Sequence, residues 1–215
     1  MADYTRRLPV YLLLDCSGSM MGEPIEAVRQ GIKALLSELR GDPQALETAY
    51  LSVITFDSQA RQIIPLTELM QFKEPELHAG GATALGGALE VLLECIASEV
   101  RKSTETQKGD WRPLVFILTD GSPTDTDAFN RAVQNLKTAK IANVIACAAG
   151  SNARTSYLKQ ITANVLMMNT LSSGDMAQFF QWVSGSIKMS SKSLDVKPGD
   201  AIQLPPPPQG FVIVP

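Results

Sequence analysis

The chain has 215 residues, 45% of them hydrophobic and 19% charged, enough to bury a full core in one globular domain with a tail. A formal net charge of -3, with Lys and Arg scattered rather than blocked, gives no basic field for nucleic acid. Nucleic acid is not an expected partner. Nor is a membrane, since no uninterrupted apolar stretch reaches the roughly 18 residues of a spanning helix.

The segment Met1 to Arg7 enters a strand without an apolar signal core. Cys16, Cys95 and Cys147 are odd in number, lack CxxC spacing and lie in or beside apolar segments, which predicts buried thiols in a reducing compartment. The expected location is cytoplasmic.

The first strand is predicted over Val10 to Leu14, and it runs directly into Asp15-Cys16-Ser17-Gly18-Ser19. A helix opens at Pro24, repeats apolar residues at Ile25, Val28, Ile32, Leu35, Leu36 and Leu39, and stops near Gly41-Asp42-Pro43. Leu51 to Phe56 reads as a second strand. Arg61 to Pro65 follows Asp57-Ser58-Gln59 closely enough to be its antiparallel hairpin partner at a sheet edge.

Thr83, after the pair Gly80-Gly81, precedes a helical face of Leu85, Ala88, Leu89, Leu92, Leu93 and Ile96. A strand over Leu114 to Leu118 ends in Asp120-Gly121, and a third helical face follows at Phe129, Ala132, Val133 and Leu136. Val144 to Ala149 and Val165 to Met168 are further strands. Met176, Phe179, Phe180, Val183 and Ile187 give a last helix, whose Met and Phe residues are read as core.

From Ser190 the composition turns to Ser, Lys, Asp, Gly and Pro, where helix is not expected to continue. Pro205 to Pro208 favour polyproline II, and Phe211-Val212-Ile213-Val214 is too apolar for a merely solvated tail, so the tail is expected to dock on its own domain or on a partner. The division is a domain over residues 1–189 and a Pro-rich tail over 190–215. Apolar runs alternating with helical periods predict an α/β fold: a mostly parallel six-stranded central sheet, one antiparallel edge strand, and helices on both faces.

In such a sheet, ligand sites gather beyond the carboxyl ends of the strands. Asp15 and Asp120 both fall there, and Thr83 reaches the same crevice if its neighbouring strand adjoins the first. Ser17 and Ser19 can turn together through Gly18. Five oxygen donors, none of them soft, select Mg²⁺ or Mn²⁺ over zinc or copper. If serines bind directly and the carboxylates act through water, the ion keeps a positive field and seeks an anionic ligand.

Asp15-x-Ser17-x-Ser19, the distant Thr83 and Asp120-Gly121 together resemble the metal-ion-dependent adhesion site, or MIDAS, of von Willebrand factor type A domains, over Leu8 to Met189. The resemblance implies a Rossmann-like fold and a Mg²⁺ held by Ser17, Ser19 and often Thr83, with the aspartates largely water-bridged. A carboxylate from a partner protein would complete the coordination. Asp15 to Met20, Asp57 and the short layout look closest to the TerY-like tellurite-resistance group, which implies a scaffold or regulator in metal or tellurite stress, with a Ser/Thr kinase and a PP2C-like phosphatase as partners. Met20, Met21, Glu23, Gly81 and Ser122 would form the partner-binding rim.

The bland readings stand beside these. Thr83 is also a good helix N-cap, Asp125 and Asp127 suit the start of their own helix, and Asp57 suits either a turn or the Ser17 to Ser19 loop. His78, the one histidine, and the tryptophans Trp111 and Trp182 are read as loop or packing residues. A Mg²⁺-dependent phosphohydrolase is the alternative function. The chain offers it no Asp-x-Asp pair after the first strand, no Gly-x-Ser-x-Gly elbow, no phosphate loop and no general base beside the motif, so an enzyme is not expected.

Overall fold

The computed structural model describes residues 6–106, 108–150, 153–192 and 204–214. Along the chain run β1 (Leu8–Asp15), a 3-10 turn (Gly18–Met20), α1 (Glu23–Arg40), α2 (Pro43–Thr48), β2 (Ala49–Phe56), β3 (Ala60–Glu68) and α3 (Leu85–Glu99). There follow β4 (Leu114–Thr119), α4 (Thr126–Leu136), β5 (Asn143–Ala149), α5 (Thr155–Ile161), β6 (Asn164–Met168), α6 (Ser173–Lys192) and β7 (Phe211–Ile213).

The sheet order is β3-β2-β1-β4-β5-β6-β7. The inner pairings from β2 to β6 are parallel, and the two outer pairings, β2 with β3 and β6 with β7, are antiparallel. The α/β, mostly parallel sheet with an antiparallel β3 edge is as the sequence predicts. Among the described residues its strands number seven rather than six, because Phe211–Ile213 of the tail adds itself to β6. Gly210, at φ +85°, makes the turn that brings it there.

Every residue of β1 is buried, and its side chains alternate between two cores. Val10, Leu12 and Leu14 face α1 and α6 with Val28, Ile32, Leu35, Phe179, Phe180 and Val183. Tyr11 and Leu13 face α3 and α4 with Leu85, Leu89, Leu92, Phe129 and Val133. This two-sided burial makes the strand an unbroken apolar run rather than an alternating one. Gly31 lets α6 come close to α1: a Cβ there would stand 2.1 Å from Phe180 Cδ2.

Two short helices escape the periodicity. Asp42 caps α2 by accepting from Ala45 N at 3.0 Å, with Pro43 at the first helical position, and α5 is a seven-residue connection between β5 and β6. The last helix runs to Lys192, beyond the Ser190 boundary expected from composition. Its serines return their hydroxyls to the preceding turn, Ser186 to Trp182 O at 2.8 Å, Ser190 to Ser186 O at 2.7 Å and Ser191 to Ile187 O at 2.8 Å, so they satisfy themselves without leaving the helix.

From β1 the chain builds outward through β2 and β3, then returns through α3 to build β4, β5 and β6 on the other side. The point where this order reverses lies between β1 and β4. Loops leaving their carboxyl ends therefore part from each other and open a crevice.

Candidate metal centre

Asp15 closes β1 and is fully buried. Its Oδ1 accepts from Ser17 N at 2.8 Å and its Oδ2 from Thr119 Oγ1 at 2.5 Å, so the carboxylate fixes the loop after its own strand and the end of the neighbouring one. The 3-10 turn then brings Ser17 Oγ and Ser19 Oγ to 3.1 Å, and Ser19 Oγ donates to Asp120 Oδ1 at 2.8 Å. Four of the five predicted donors thus form one continuous hydrogen-bonded set.

Thr83, the fifth, is placed from the opposite wall. Gly18 N donates to Gly81 O at 3.0 Å and Gly80 N to Cys16 O at 2.8 Å, clasping the Gly80 to Thr83 loop against the serine loop. Thr83 is itself pinned by Thr124, whose N donates to Thr83 O at 3.0 Å and whose Oγ1 accepts from Thr83 N at 3.3 Å. A Cβ on Gly121 would stand 3.1 Å from Thr83 Oγ1, which sets the hydroxyl beside the Asp120-Gly121 turn. The N-cap position of α3 is Ala84, so Thr83 is not the cap of that helix.

Burial is graded across the set. Asp15, Ser17 and Thr83 are buried, Asp120 is partly buried and Ser19 is exposed, so the crevice has a closed floor and an open mouth. Burial raises the Asp15 carboxyl above its ordinary value; bonds from Ser17 and Thr119 oppose the rise, and the charge of Asp120 adds to it. A cation at the mouth would offset the cost of keeping both carboxylates charged. Among the described residues no group of three or more His, Cys, Asp or Glu forms a metal cluster. The donor set is instead three hydroxyls with two carboxylates, all hard oxygen, and it suits a hard divalent ion with room for an outside ligand.

The rim differs from expectation at Met20, which is fully buried beneath the crevice. The 3-10 turn points it into the core with Leu14 and Ile25, so of the adjacent methionines Met21, at 63% exposed, is the one that faces solvent. Glu23 and Gly81 are exposed and Ser122 is partly buried. Asp57 is a turn residue: its carboxylate accepts from Gln59 N at 2.9 Å and pairs with Arg61 at 3.1 Å rather than with Ser17 or Ser19, and its backbone O accepts from Ala84 N at 2.8 Å.

Asp125 is the residue that sequence reasoning misplaced. It does not cap α4 with its side chain. Its Oδ1 accepts from Gly86 N at 3.0 Å and its Oδ2 from Gly87 N at 2.7 Å, both in the first turn of α3, so it holds the helix that follows Thr83. Thr119 was missed as well, since it falls between the expected strand Leu114 to Leu118 and Asp120 and carries no charge of its own. Its register against β1, with Leu14 opposite Leu118, is what turns it toward Asp15. A hollow of about 620 Å³ lies at the far end of β4, between Val100 and Trp111, away from this crevice.

A family model for the von Willebrand factor type A domain matches residues 10–181. An uncharacterised protein of Synechocystis sp. is 32% identical over 126 residues, which cover 55% of this chain and 27% of that protein. Among solved structures, a von Willebrand factor type A protein from Catenulispora acidiphila superposes with a TM-score of 0.65 at 16% identity, over 86% of this chain and 43% of that one. The proximal thread matrix protein 1 of the mussel byssus, with a zinc-occupied MIDAS motif, superposes with a TM-score of 0.60 at 18% identity, over 87% of this chain and 46% of that one. The chain therefore spans less than half the length of each of these proteins. Among the described residues no helix is long and apolar enough to cross a membrane.

Proposed function

The chain belongs to the von Willebrand factor type A domain family, and from that premise we propose that it is a metal-dependent protein-interaction module binding an acidic side chain of its partner. Domains of this family are usually interaction modules rather than enzymes. The observation that carries the reading is the convergence of Ser17 Oγ and Asp120 Oδ1 on Ser19 Oγ, at 3.1 and 2.8 Å, above the buried Asp15.

In this reading Ser17, Ser19 and Thr83 hold the ion directly, while Asp15 and Asp120 supply charge and hold bridging waters. A bound Mg²⁺ or Mn²⁺ supplies an electrophilic position that a partner carboxylate can fill. Asp15 suits an indirect role because both its oxygens already accept from the protein. Exposed Met21 and Glu23 on one side, and Gly81 and Ser122 on the other, are the surface that a partner would meet.

A cytoplasmic, TerY-like regulator of metal or tellurite stress, partnered by a Ser/Thr kinase and a PP2C-like phosphatase, is the finer form of the proposal. It rests on the run Asp15 to Met20 and on Asp57. The phosphohydrolase alternative is not favoured: among the described residues the only bases in the crevice are Asp15 and Asp120, which are themselves among the five donors, and His78 is an exposed loop residue.

Titration calorimetry with Mg²⁺, Mn²⁺ and Zn²⁺ tests the site. Binding is expected for the intact chain and lost in Asp15→Ala with the fold retained by circular dichroism. Unchanged binding in a folded Asp15→Ala would overturn the metal reading. Turnover of a generic phosphate ester above the buffer rate, dependent on Mg²⁺ and lost in Asp15→Ala, would favour the enzyme instead.

A further inference from the structure

Residues 204–214 lie at the sheet edge, with β4, β5 and β6 between their strand and β1, in a seat with two parts. The first is the indole of Trp182, at the middle of α6. Its Nε1 donates to Pro205 O and Pro206 O, both at 3.1 Å, and its ring is held edge-on by Phe116 with centroids 6.2 Å apart. Beside it Gly185 lies next to the Pro205 ring, whose Cγ would be 4.0 Å, an ordinary contact, from a Cβ placed there. The second part is the open edge of β6, where Leu166, Met167 and Met168 pair with Ile213, Val212 and Phe211, and Val214 N donates to Val165 O at 2.9 Å.

Both contacts are of kinds that read extended peptides. Prolines lack N–H groups but present their carbonyls outward in polyproline II, and a fixed indole N–H selects those carbonyls. A free strand edge accepts any extended backbone and chooses among peptides by the side chain it buries. Here that side chain is Phe211, the one residue of β7 that is buried.

The resident tail fills this seat incompletely. Val212 and Ile213 are 49% and 56% exposed, and a hollow of about 420 Å³ remains between Gln178, Gln181 and Gly185 of α6 and Pro205, Pro208 and Gln209 of the tail. Eleven residues, 193–203, connect the end of α6 to Leu204, while Pro205 sits back beside Gly185. A helical rise of about 1.5 Å per residue puts that return at roughly 10 Å, and an extended chain of that length reaches more than about 30 Å. Fewer than eleven residues would cover that return, so a tail that leaves the seat stays covalently tethered beside it.

We propose that the strip formed by Trp182, Gly185 and the β6 edge is a docking groove for a proline-rich peptide that ends in an apolar strand, and that residues 204–214 are its displaceable resident ligand. The partner it fits is an extended segment with tandem prolines followed, after a glycine turn, by an aromatic anchor. A tethered ligand sits at an effective concentration of roughly millimolar, so an outside peptide competes well only when the tail is weakened.

The test uses the full chain and a fluorescent peptide of the sequence Leu204 to Val214. Phe211→Asp weakens the resident tail and leaves the groove intact. It is expected to bind the peptide at least about tenfold more tightly than the unmodified chain. Adding Trp182→Phe, which keeps the ring and removes the donor, is expected to lose about tenfold of that gain. Failure of a folded Phe211→Asp chain to bind the peptide, or binding indifferent to Trp182→Phe, overturns the proposal. Hydrogen exchange on the unmodified chain gives a second reading: the amide of Val214, bonded to Val165 O, is expected to exchange well before those of β5. Its exchange only with β5 would mean that the tail leaves only when the whole domain unfolds, and the groove would then not be available.

Discussion

Thr119 Oγ1 donates to Asp15 Oδ2 at 2.5 Å, a bond that ties the carboxyl ends of β1 and β4 together beneath the crevice. The same hydroxyl accepts from Gly121 N at 3.2 Å, so one side chain sets both the Asp15 carboxylate and the turn that carries Asp120. Thr119 is buried and offers the ion nothing directly. It positions the two carboxylates of the crevice.

Thr119→Val keeps shape and removes the hydroxyl. Groups that orient metal-holding side chains are commonly worth about 10-fold to 100-fold in metal affinity, and a buried acceptor left without its donor costs about 1–3 kcal/mol. Weaker Mn²⁺ binding by about tenfold or more, with a lowered melting temperature, is expected from calorimetry and thermal unfolding. Equal affinity in the variant would remove Thr119 from the site.

Asp125 reaches across from α4 to the first turn of α3, where Gly86 N and Gly87 N would otherwise lack a partner. The close approach depends on Gly86, since a Cβ there would lie 2.2 Å from Phe129 N. Asp125→Ala is expected to cost about 1–2 kcal/mol, as loss of a capping carboxylate does. Because α3 carries the loop of Thr83, metal affinity should fall with it, whereas Asp127→Ala, exposed in the first turn of α4, should cost less than about 1 kcal/mol and leave metal affinity unchanged. Chemical denaturation of the two variants compares them.

The strands and the metal motif were legible because each is local. A strand buried on both faces must be an apolar run, and Asp15, Ser17 and Ser19 lie within five residues of one another. What escaped the sequence depends on contacts between distant elements. Asp125 looks like a cap for its own helix until α3 is seen beside it. Met20 looks like a rim residue until the 3-10 turn rotates it inward. The α2 and α5 helices are too short to show a period, and the tail's apolar strand names no partner strand until β6 is seen beside it.

Gly31 on α1 faces the ring of Phe180 on α6, with a would-be Cβ 2.1 Å from the ring and Phe180 itself fully buried. Ala would gain helix propensity of about 1 kcal/mol, but overpacking a filled core costs about 1–3 kcal/mol and a buried ring has little room to move. Gly31→Ala is therefore expected to destabilise on balance, and to do so without changing metal affinity. A denaturation midpoint at or above that of the unmodified chain would show that the two helices can part at no cost.

Glu38 of α1 accepts from Ser184 Oγ and, at 3.0 Å, from Lys188 Nζ, linking α1 to α6 through a second pair of residues. Burial alone would raise its carboxyl, but the bonds from Ser184 and Lys188 and the charge of Lys188 outweigh it and hold the group below its ordinary value of 4.5. A carboxyl lowered in the folded state stabilises the fold above its unfolded value, and that contribution is lost as pH falls through the folded one. Between about pH 5 and 3 the unmodified chain should lose stability more steeply than Glu38→Gln. Urea midpoints across that window should converge on acidification; parallel curves would remove Glu38 from the acid response. The pair is partly exposed, so the slope difference should be small and should shrink in salt.

Metal removal gives the last expectation, because an ion that binds the folded crevice and not the unfolded chain must stabilise the fold. At a free concentration of about 100 times Kd the gain is about 2.7 kcal/mol, or a rise of roughly 5–11 °C in melting temperature for a chain of this size. EDTA should return the melting temperature to its starting value. Ser19→Ala should shrink the rise, since it removes one exposed donor and leaves the fold's interior untouched, whereas Asp15→Ala should abolish it. A Mg²⁺-induced rise of equal size in Asp15→Ala would place the ion elsewhere on the molecule, and no rise in the intact chain at millimolar Mg²⁺ or Mn²⁺ would mean that the five converging oxygens close on each other rather than on a cation.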